Sequence, residues 1–397
     1  VSGVSLEWAT LRELADLTDP VGVLSVYVTL DLHERAEAGA IRPWELRARH
    51  QLDELVERLH QHGPREHWKA FTQRLDQLRP DLERLFDPAG SGQGRVLFAG
   101  VGDGPTWTLS LQVPLGDRAV LEPRAYLRPL VAAWSTAGPA GAVSVSAAEL
   151  RVMDLRFGRA EVVHTIRYPG SPEQRELTGP AATNPALAQR SAPQHDLYER
   201  REEDKLHRFL RGTGPELAEL AARREWTELA LTGESALVQA VRDGLPPRLA
   251  PDVVTLDHPV NSLPPAKLAA LVEPALVEAR RSRHRTLAER ARGDALSANT
   301  GACGLGETLG ALQQGRVAHL LLEAGRQWRG SRGPDGFLTP EGEVPPGLAA
   351  TDLSPEPHLG ERMLELAFRD SAQVTMLDPD AAAPLADADG VGAILRW

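Results

Sequence analysis

Short apolar runs alternate with longer stretches of helical periodicity along this chain, and that alternation limits its fold more than any other feature. The run Val23-Leu24-Ser25-Val26-Tyr27-Val28-Thr29-Leu30 is β-branched and predicts a strand. Before it, Leu6, Ala9, Leu11, Leu14, Ala15 and Leu17 recur at helical spacing, and Pro20 stops the pattern. Helices are predicted over 44–60 and 68–86, the second broken near Pro80, followed by strands over 95–100 and 107–113. Next come strands at 141–146, 150–155 and 160–166, a meander turning at Phe157-Gly158. A polar stretch over 168–195 follows, then a helix over 197–223. Strand 226–231, helix 235–243 and strand 253–256 predict a parallel α/β arrangement. Pro264-Pro265 opens a helix reaching about residue 292. A last unit reads as helix 305–313, strand 318–322, an irregular Gly/Pro stretch over 325–357, helix 359–368, strand 373–377 and strand 391–397.

At 397 residues, the length suits two to four domains of ordinary size. The expected class is α/β, as three mixed α/β domains: 1–132, 133–262 with the long loop 168–195, and 263–397 opened by an arginine-rich helix. The middle domain is expected to hold a mixed sheet with flanking helices, and the last to be a small α/β sandwich. With 42% hydrophobic residues each can bury a normal core, and the lone Cys303 excludes a disulfide scaffold. No run of about 18 apolar residues occurs. Val1-Ser2-Gly3-Val4-Ser5-Leu6-Glu7 has neither the charged nor the apolar region of a signal peptide, so a soluble cytoplasmic protein is expected. The net charge of −11 argues against non-specific coating of nucleic acid.

Two segments of the last unit follow a known pattern. Gly304-Leu305-Gly306-Glu307-Thr308-Leu309-Gly310-Ala311-Leu312 leads into Gln313-Gln314-Gly315-Arg316-Val317-Ala318-His319-Leu320-Leu321-Leu322. This resembles the helix, glycine turn and strand of the C-terminal domain of Pelota and the archaeal and eukaryotic class-one release factors. Asp389-Gly390-Val391-Gly392-Ala393-Ile394-Leu395-Arg396-Trp397 resembles the terminus of the same proteins, Gly-Gly-Ile-Ala-Ala-Ile-Leu-Arg-aromatic. Strand 226–231 with its Thr-Gly end, the opening 25–31 and Arg128-Pro129-Leu130 are similar to bacterial relatives of that group. The resemblance implies a last domain like the kink-turn-binding ribosomal proteins and a factor that binds the ribosome near the A site as a tRNA mimic. The partners it implies are rRNA and ribosomal proteins, with tRNA or a translational GTPase beside them; no cofactor or membrane is implied, and a monomer is expected.

Departures from the pattern narrow the role. Family members that hydrolyse peptidyl-tRNA carry Gly-Gly-Gln on a middle-domain loop, whose counterpart here, 178–195, lacks it. Gln189 and Gln194 are the glutamines that loop offers, with Arg190 beside the first. Without paired glycines the backbone cannot approach an ester as closely. The first domain also lacks the Asn-Ile-Lys-Ser motif used to read stop codons. The expectation is therefore rescue, quality control or hibernation without decoding. A peptidyl-tRNA hydrolase with a divergent glutamine loop and a non-ribosomal interaction scaffold are the alternatives.

Arg190 is a candidate RNA contact, and the others fall in two clusters. Arg200, Arg201, Lys205, Arg208 and Arg211 are interleaved with Asp196, Glu199, Glu202, Glu203 and Asp204, a pattern that suits pairing along a solvated helix face better than a phosphate-binding one. Arg280, Arg281, Arg283, Arg285, Arg290 and Arg292 are interrupted only by Glu289, so several can contact phosphates or lie near a helix C-terminus. His60, His62 and His67 match no compact ligand set, and no metal is expected. Gly90-Ser91-Gly92-Gln93-Gly94 precedes its strand and is read as a turn, since a phosphate cradle follows one.

Overall fold

The computed structural model describes residues 6–31, 41–102, 104–169, 192–249, 251–258, 263–297 and 300–397. The chain divides into two compact units, one formed by Val1–Thr136 with Arg281–Trp397 and the other by Ala137–Arg280. Their elements are of the mixed α/β class expected from the sequence. Among the described residues no helix is long and apolar enough to cross a membrane.

In the first unit, α1 (Trp8–Ala15) precedes β1 (Thr18–Thr29), whose inward run from Val23 to Val28 is fully buried. β2 (Gly94–Gly100), β3 (Thr106–Leu111) and β4 (Arg118–Arg124) complete an antiparallel sheet in the order β3-β2-β1-β4. α2 (Pro43–His62) and α3 (Arg65–Phe86) cover it with Trp44, Leu52, Leu55, Phe71, Leu78 and Leu85. The break expected at Pro80 does not occur, and α3 runs through it. Proline removes one main-chain donor there, and the apolar contacts of Leu78, Leu82 and Leu85 on either side hold the helix to the sheet. The glycine loop before β2 wraps the nearly buried Arg95, whose guanidinium donates to the carbonyls of Leu85 at 3.0 Å, Asp87 at 2.6 Å and Gly92 at 3.3 Å, and to that of Gly90. α4 (Arg128–Ala137) follows β4.

The second unit opens with β5 (Ala140–Val145), β6 (Glu149–Arg156) and β7 (Arg159–Arg167), an antiparallel meander. Its tip, Phe157-Gly158, has φ of +49° and +76°, the left-handed pair a tight hairpin needs. α5 (Ala192–Gly212) and α6 (Gly214–Arg223) replace the single helix expected over 197–223. Pro215 lacks an amide hydrogen and starts the second helix afresh. β8 (Glu228–Gly233), α7 (Ser235–Gly244) and β9 (Asp252–Asp257) follow, giving a mixed sheet in the order β7-β6-β5-β8-β9 with β5, β8 and β9 parallel. One face packs on Leu210, Leu217, Leu237 and Val241, and the other on Leu268, Val272 and Leu276 of α8 (Pro265–Leu296).

The rest of the first unit centres on a sheet of β10 (Gly301–Cys303), β11 (Val317–Glu323), β15 (Gln373–Leu377) and β16 (Val391–Leu395), in the order β10-β16-β11-β15. α9 (Leu305–Gln313) and α10 (Leu359–Arg369) accompany it, with α11 (Pro379–Ala382) after β15. Ala288 and Ala291 of α8 pack on Leu321, Leu377, Leu385 and Ile394. The stretch 325–357, expected to be irregular, holds a small antiparallel sheet of β12 (Gly330–Arg332), β13 (Leu338–Pro340) and β14 (Ser354–Glu356). Strands of three residues are too short to show an alternating pattern.

Gly141 sits where β5 meets Trp226, whose indole donates to Asp154 at 2.5 Å; a Cβ on Gly141 would lie 2.3 Å from the indole ring. Arg156 holds the same carboxylate at 2.6 and 2.9 Å, so the ring has little freedom to move. Gly141→Ala is expected to destabilise the second unit by about 1–3 kcal/mol, the range for overpacking a close-packed core, as a lowered urea midpoint with tryptophan fluorescence as readout.

Candidate functional site

The segment 168–195 is bounded on both sides by the second unit's sheet and its helices. Tyr168 leaves β7 with its amide on the carbonyl of Ala148 at 2.8 Å, and its ring meets Phe209 of α5 with 5.2 Å between centroids. Arg167 faces Glu149 at 3.6 Å, and His164 of β7 meets Glu216 of α6 at 2.8 Å. The chain thus leaves the edge strand after Arg167, and α5 begins at Ala192. Gln189 and Arg190 lie outside the described residues, and Gln194 is in the first turn of α5.

Past that turn the helix is amphipathic. Leu210 is buried, with Leu206 and Phe209 beside it against the core. Arg200, Arg201, Arg208 and Arg211 are exposed, and Lys205 pairs with Glu202 at 2.8 Å. With about 100° per residue, all five cations fall on the solvent side, opposite Leu206 and Leu210. Asp204 is the acid among them. The mixed charges of the sequence are therefore sorted in space into a basic stripe.

The arginines of α8 are placed differently. Arg280 is 8% exposed and donates to the fully buried Glu228 at 2.7 Å. Arg281 faces Asp378 at 3.6 Å, Arg285 pairs with Glu289 at 3.2 Å and Arg290 with Asp294 at 3.5 Å. Arg292 is held by Asp387 through two bonds, one of 2.7 Å. The sequence shows a single acid within the run, whereas the fold brings acids from β8, α11 and the segment before β16. Arg283 and Arg290 lie near His319 of β11, whose imidazole bonds Thr375 at 2.8 Å. Burial first, then the two guanidinium groups, push its pKa down to about 4.

Sequence reasoning missed a second cluster, in the first unit. Arg362 of α10, almost fully buried, donates to Glu122 of β4 at 2.7 Å and faces Glu365 at 2.7 Å and Glu356 at 3.8 Å. The signal was present: Glu361 and Arg362 fall among the apolar residues Leu359, Met363, Leu364, Ala367 and Phe368 of one helix. No group of three ligating side chains that could hold a metal occurs among the described residues, those around His60, His62 and His67 included.

A family comparison falls on the region of the mixed sheet and its helices. Residues 126–280 match the family model described as "Bacterial archaeo-eukaryotic release factor family 10". That part of the chain is thus similar to a bacterial family named for the archaeal and eukaryotic release factors, and the sequence holds no Gly-Gly-Gln. Among solved structures, the archaeal termination factor aRF1 is 18% identical over 98% of this chain and 96% of its own, with a TM-score of 0.24. Ribosome-bound archaeal Pelota is 14% identical over 100% and 95%, with a TM-score of 0.41. Dom34 of S. cerevisiae is 9% identical over 75% and 73%, with a TM-score of 0.40. A comparison with curated proteins gives no match.

Because His319 is held neutral, the unfolded chain takes up its proton first. The stability this residue contributes is present above its ordinary value of 6.5 and is lost as the pH falls from there toward 4. Its ring proton resonances are expected to stay at the neutral position down to about pH 5, as followed by NMR titration.

Proposed function

We propose that this chain is a translation factor that binds the ribosome near the A site as a mimic of tRNA and acts in rescue, quality control or hibernation. The observation that carries this reading is the family match over 126–280, which spans the mixed sheet and helix α5 together. The segments 304–322 and 389–397, similar to the last domain of Pelota and the class-one factors, support it from a second part of the sequence. tRNA or a translational GTPase is proposed as a further partner. Peptide release is not part of the proposal, because no Gly-Gly-Gln occurs anywhere in the sequence.

RNA contact is assigned first to the stripe of Arg200, Arg201, Lys205, Arg208 and Arg211 on α5. Exposed guanidinium groups can each take a phosphate in a bidentate fork. On α8, Arg285 and Arg290 are exposed and can exchange their neighbouring carboxylates for phosphate. Arg280 is committed to Glu228, and Arg281, Arg283 and Arg292 belong to the body of the fold.

The purified chain should co-sediment with 70S ribosomes at low salt and be displaced by A-site ligands. Absence of binding at every salt concentration overturns the proposal. The triple variant Arg200→Ala, Arg201→Ala, Arg208→Ala should bind more weakly, with a log–log salt slope shallower by about two to three, one phosphate contact being worth roughly 0.7–0.9. These side chains are exposed, so thermal stability should stay within about 0.5 kcal/mol of the parent.

A further inference from the structure

Within the first unit, Glu361 lies where helix α10 meets the segment leading from β4 into α4. Its side chain is 2% exposed. Oε1 accepts the Leu127 amide at 2.5 Å, a contact spanning 234 residues of sequence. Oε2 is buried and has no hydrogen-bond partner among the described residues. The surrounding cations are occupied elsewhere. Arg128 donates to the Gln327 amide oxygen at 3.3 Å and to the Arg326 carbonyl, and it lies 4.9 Å over the Trp328 ring. Arg362 is taken by Glu122, Glu365 and Glu356.

The other groups around the carboxyl give it no counter-charge. From β1 comes the buried Tyr27, whose hydroxyl donates to the Tyr126 carbonyl. Tyr126 itself lies under Arg118 at 5.4 Å and edge-on to His358 at 6.3 Å. Arg332 of β12 is bound to Glu356 at 2.7 Å. An ionised carboxylate with one donor and no committed cation is far costlier to bury than the neutral acid.

We infer that Glu361 is kept as a neutral carboxylic acid that latches the segment Tyr126–Arg128 onto helix α10, and that loss of its proton to solvent releases that contact. The latch is a device of the fold and is independent of the ribosomal reading. Burial raises the Glu361 pKa to about 8, overcoming the Leu127 amide and the lesser pull of Arg362 and Arg128. Glu122 and Glu365 are also raised by burial in the same seam, against the opposing pull of Arg362. A cleft of about 320 Å³ lined by Arg124, Arg332, Arg362 and Glu365 opens beside this seam.

The sign follows from the raised value. The stability contributed by the neutral acid is fully present below 4.5 and is lost as the pH rises through about 8. Hydrogen exchange of the Leu127 amide, corrected for its intrinsic rate, reads the latch directly. In the unaltered chain its protection should fall about tenfold between pH 7 and pH 9, the change a group titrating near 8 imposes. Glu361→Gln keeps an acceptor for Leu127 and cannot ionise, so its protection should stay level over that range and its thermal midpoint should fall less from pH 7 to pH 9. Equal pH responses in the two proteins overturn the inference. If Glu361→Gln does not fold, unchanged Leu127 protection in the unaltered chain overturns it alone.

Discussion

Arg362 reaches from α10 to Glu122 on β4, with both side chains largely out of water, and the joining of the two ends of the chain in the first unit depends on this kind of contact. A guanidinium removed from solvent must find acceptors on the protein or unfold it. The acceptor Arg362 finds lies 240 positions away at Glu122, and Glu356 and Glu365 stand nearby as counter-charges. Apolar contacts extend the seam, with Trp8 5.5 Å from Phe368 and the Met376 amide on Ser135 at 2.9 Å. Removing one member of the ion cluster would leave an uncompensated buried charge, which is why such clusters fix one arrangement even where their net stabilisation is small.

The same requirement divides the arginines by role. Lysine occurs three times in the sequence, at Lys69, Lys205 and Lys267, so arginine supplies nearly all positive charge. Arg95, Arg280 and Arg362 are interior, each with carbonyl or carboxylate acceptors that a planar fork can meet at once. Those of α5 stay in water. A net charge of −11 therefore conceals a spatial separation: internal arginines hold the fold, and a short exposed stripe on α5 faces solvent.

Much of the fold was legible because burial leaves a period in the sequence. β1, β5, β6, β8 and β11 carry apolar runs, and α2, α3 and α10 carry helical spacing. β4 was missed because Arg118, Ala119, Val120, Leu121 and Glu122 are all only half-buried, so neither alternation nor a continuous run marks them. α4 was hidden by Arg128-Pro129, which reads as a boundary although proline near a helix start is compatible with helix. At the candidate site the sequence identified the polar segment and both basic clusters, but counted acids only along the chain. Asp378 and Asp387, close to α8 in space and about a hundred positions away, are invisible to such a count. For the same reason Glu361 could be placed on a helix but not at an interior contact.

His319 and Glu361 bind protons in opposite senses, and together they shape the first unit's response to pH. Folding keeps the imidazole neutral down to about 4 and the carboxyl neutral up to about 8. Between 4.5 and 6.5, the ordinary values of the two groups, the folded state holds one extra proton on Glu361 and lacks one on His319. Stability then changes with pH by equal and opposite amounts, and the pair gives a plateau. Above 6.5 the imidazole is neutral in both states and its slope vanishes, leaving the carboxyl alone to lower stability with rising pH. These two groups therefore add no net slope in mild acid and a falling one in mild alkali, the latter placed at the contact where Leu127 meets α10.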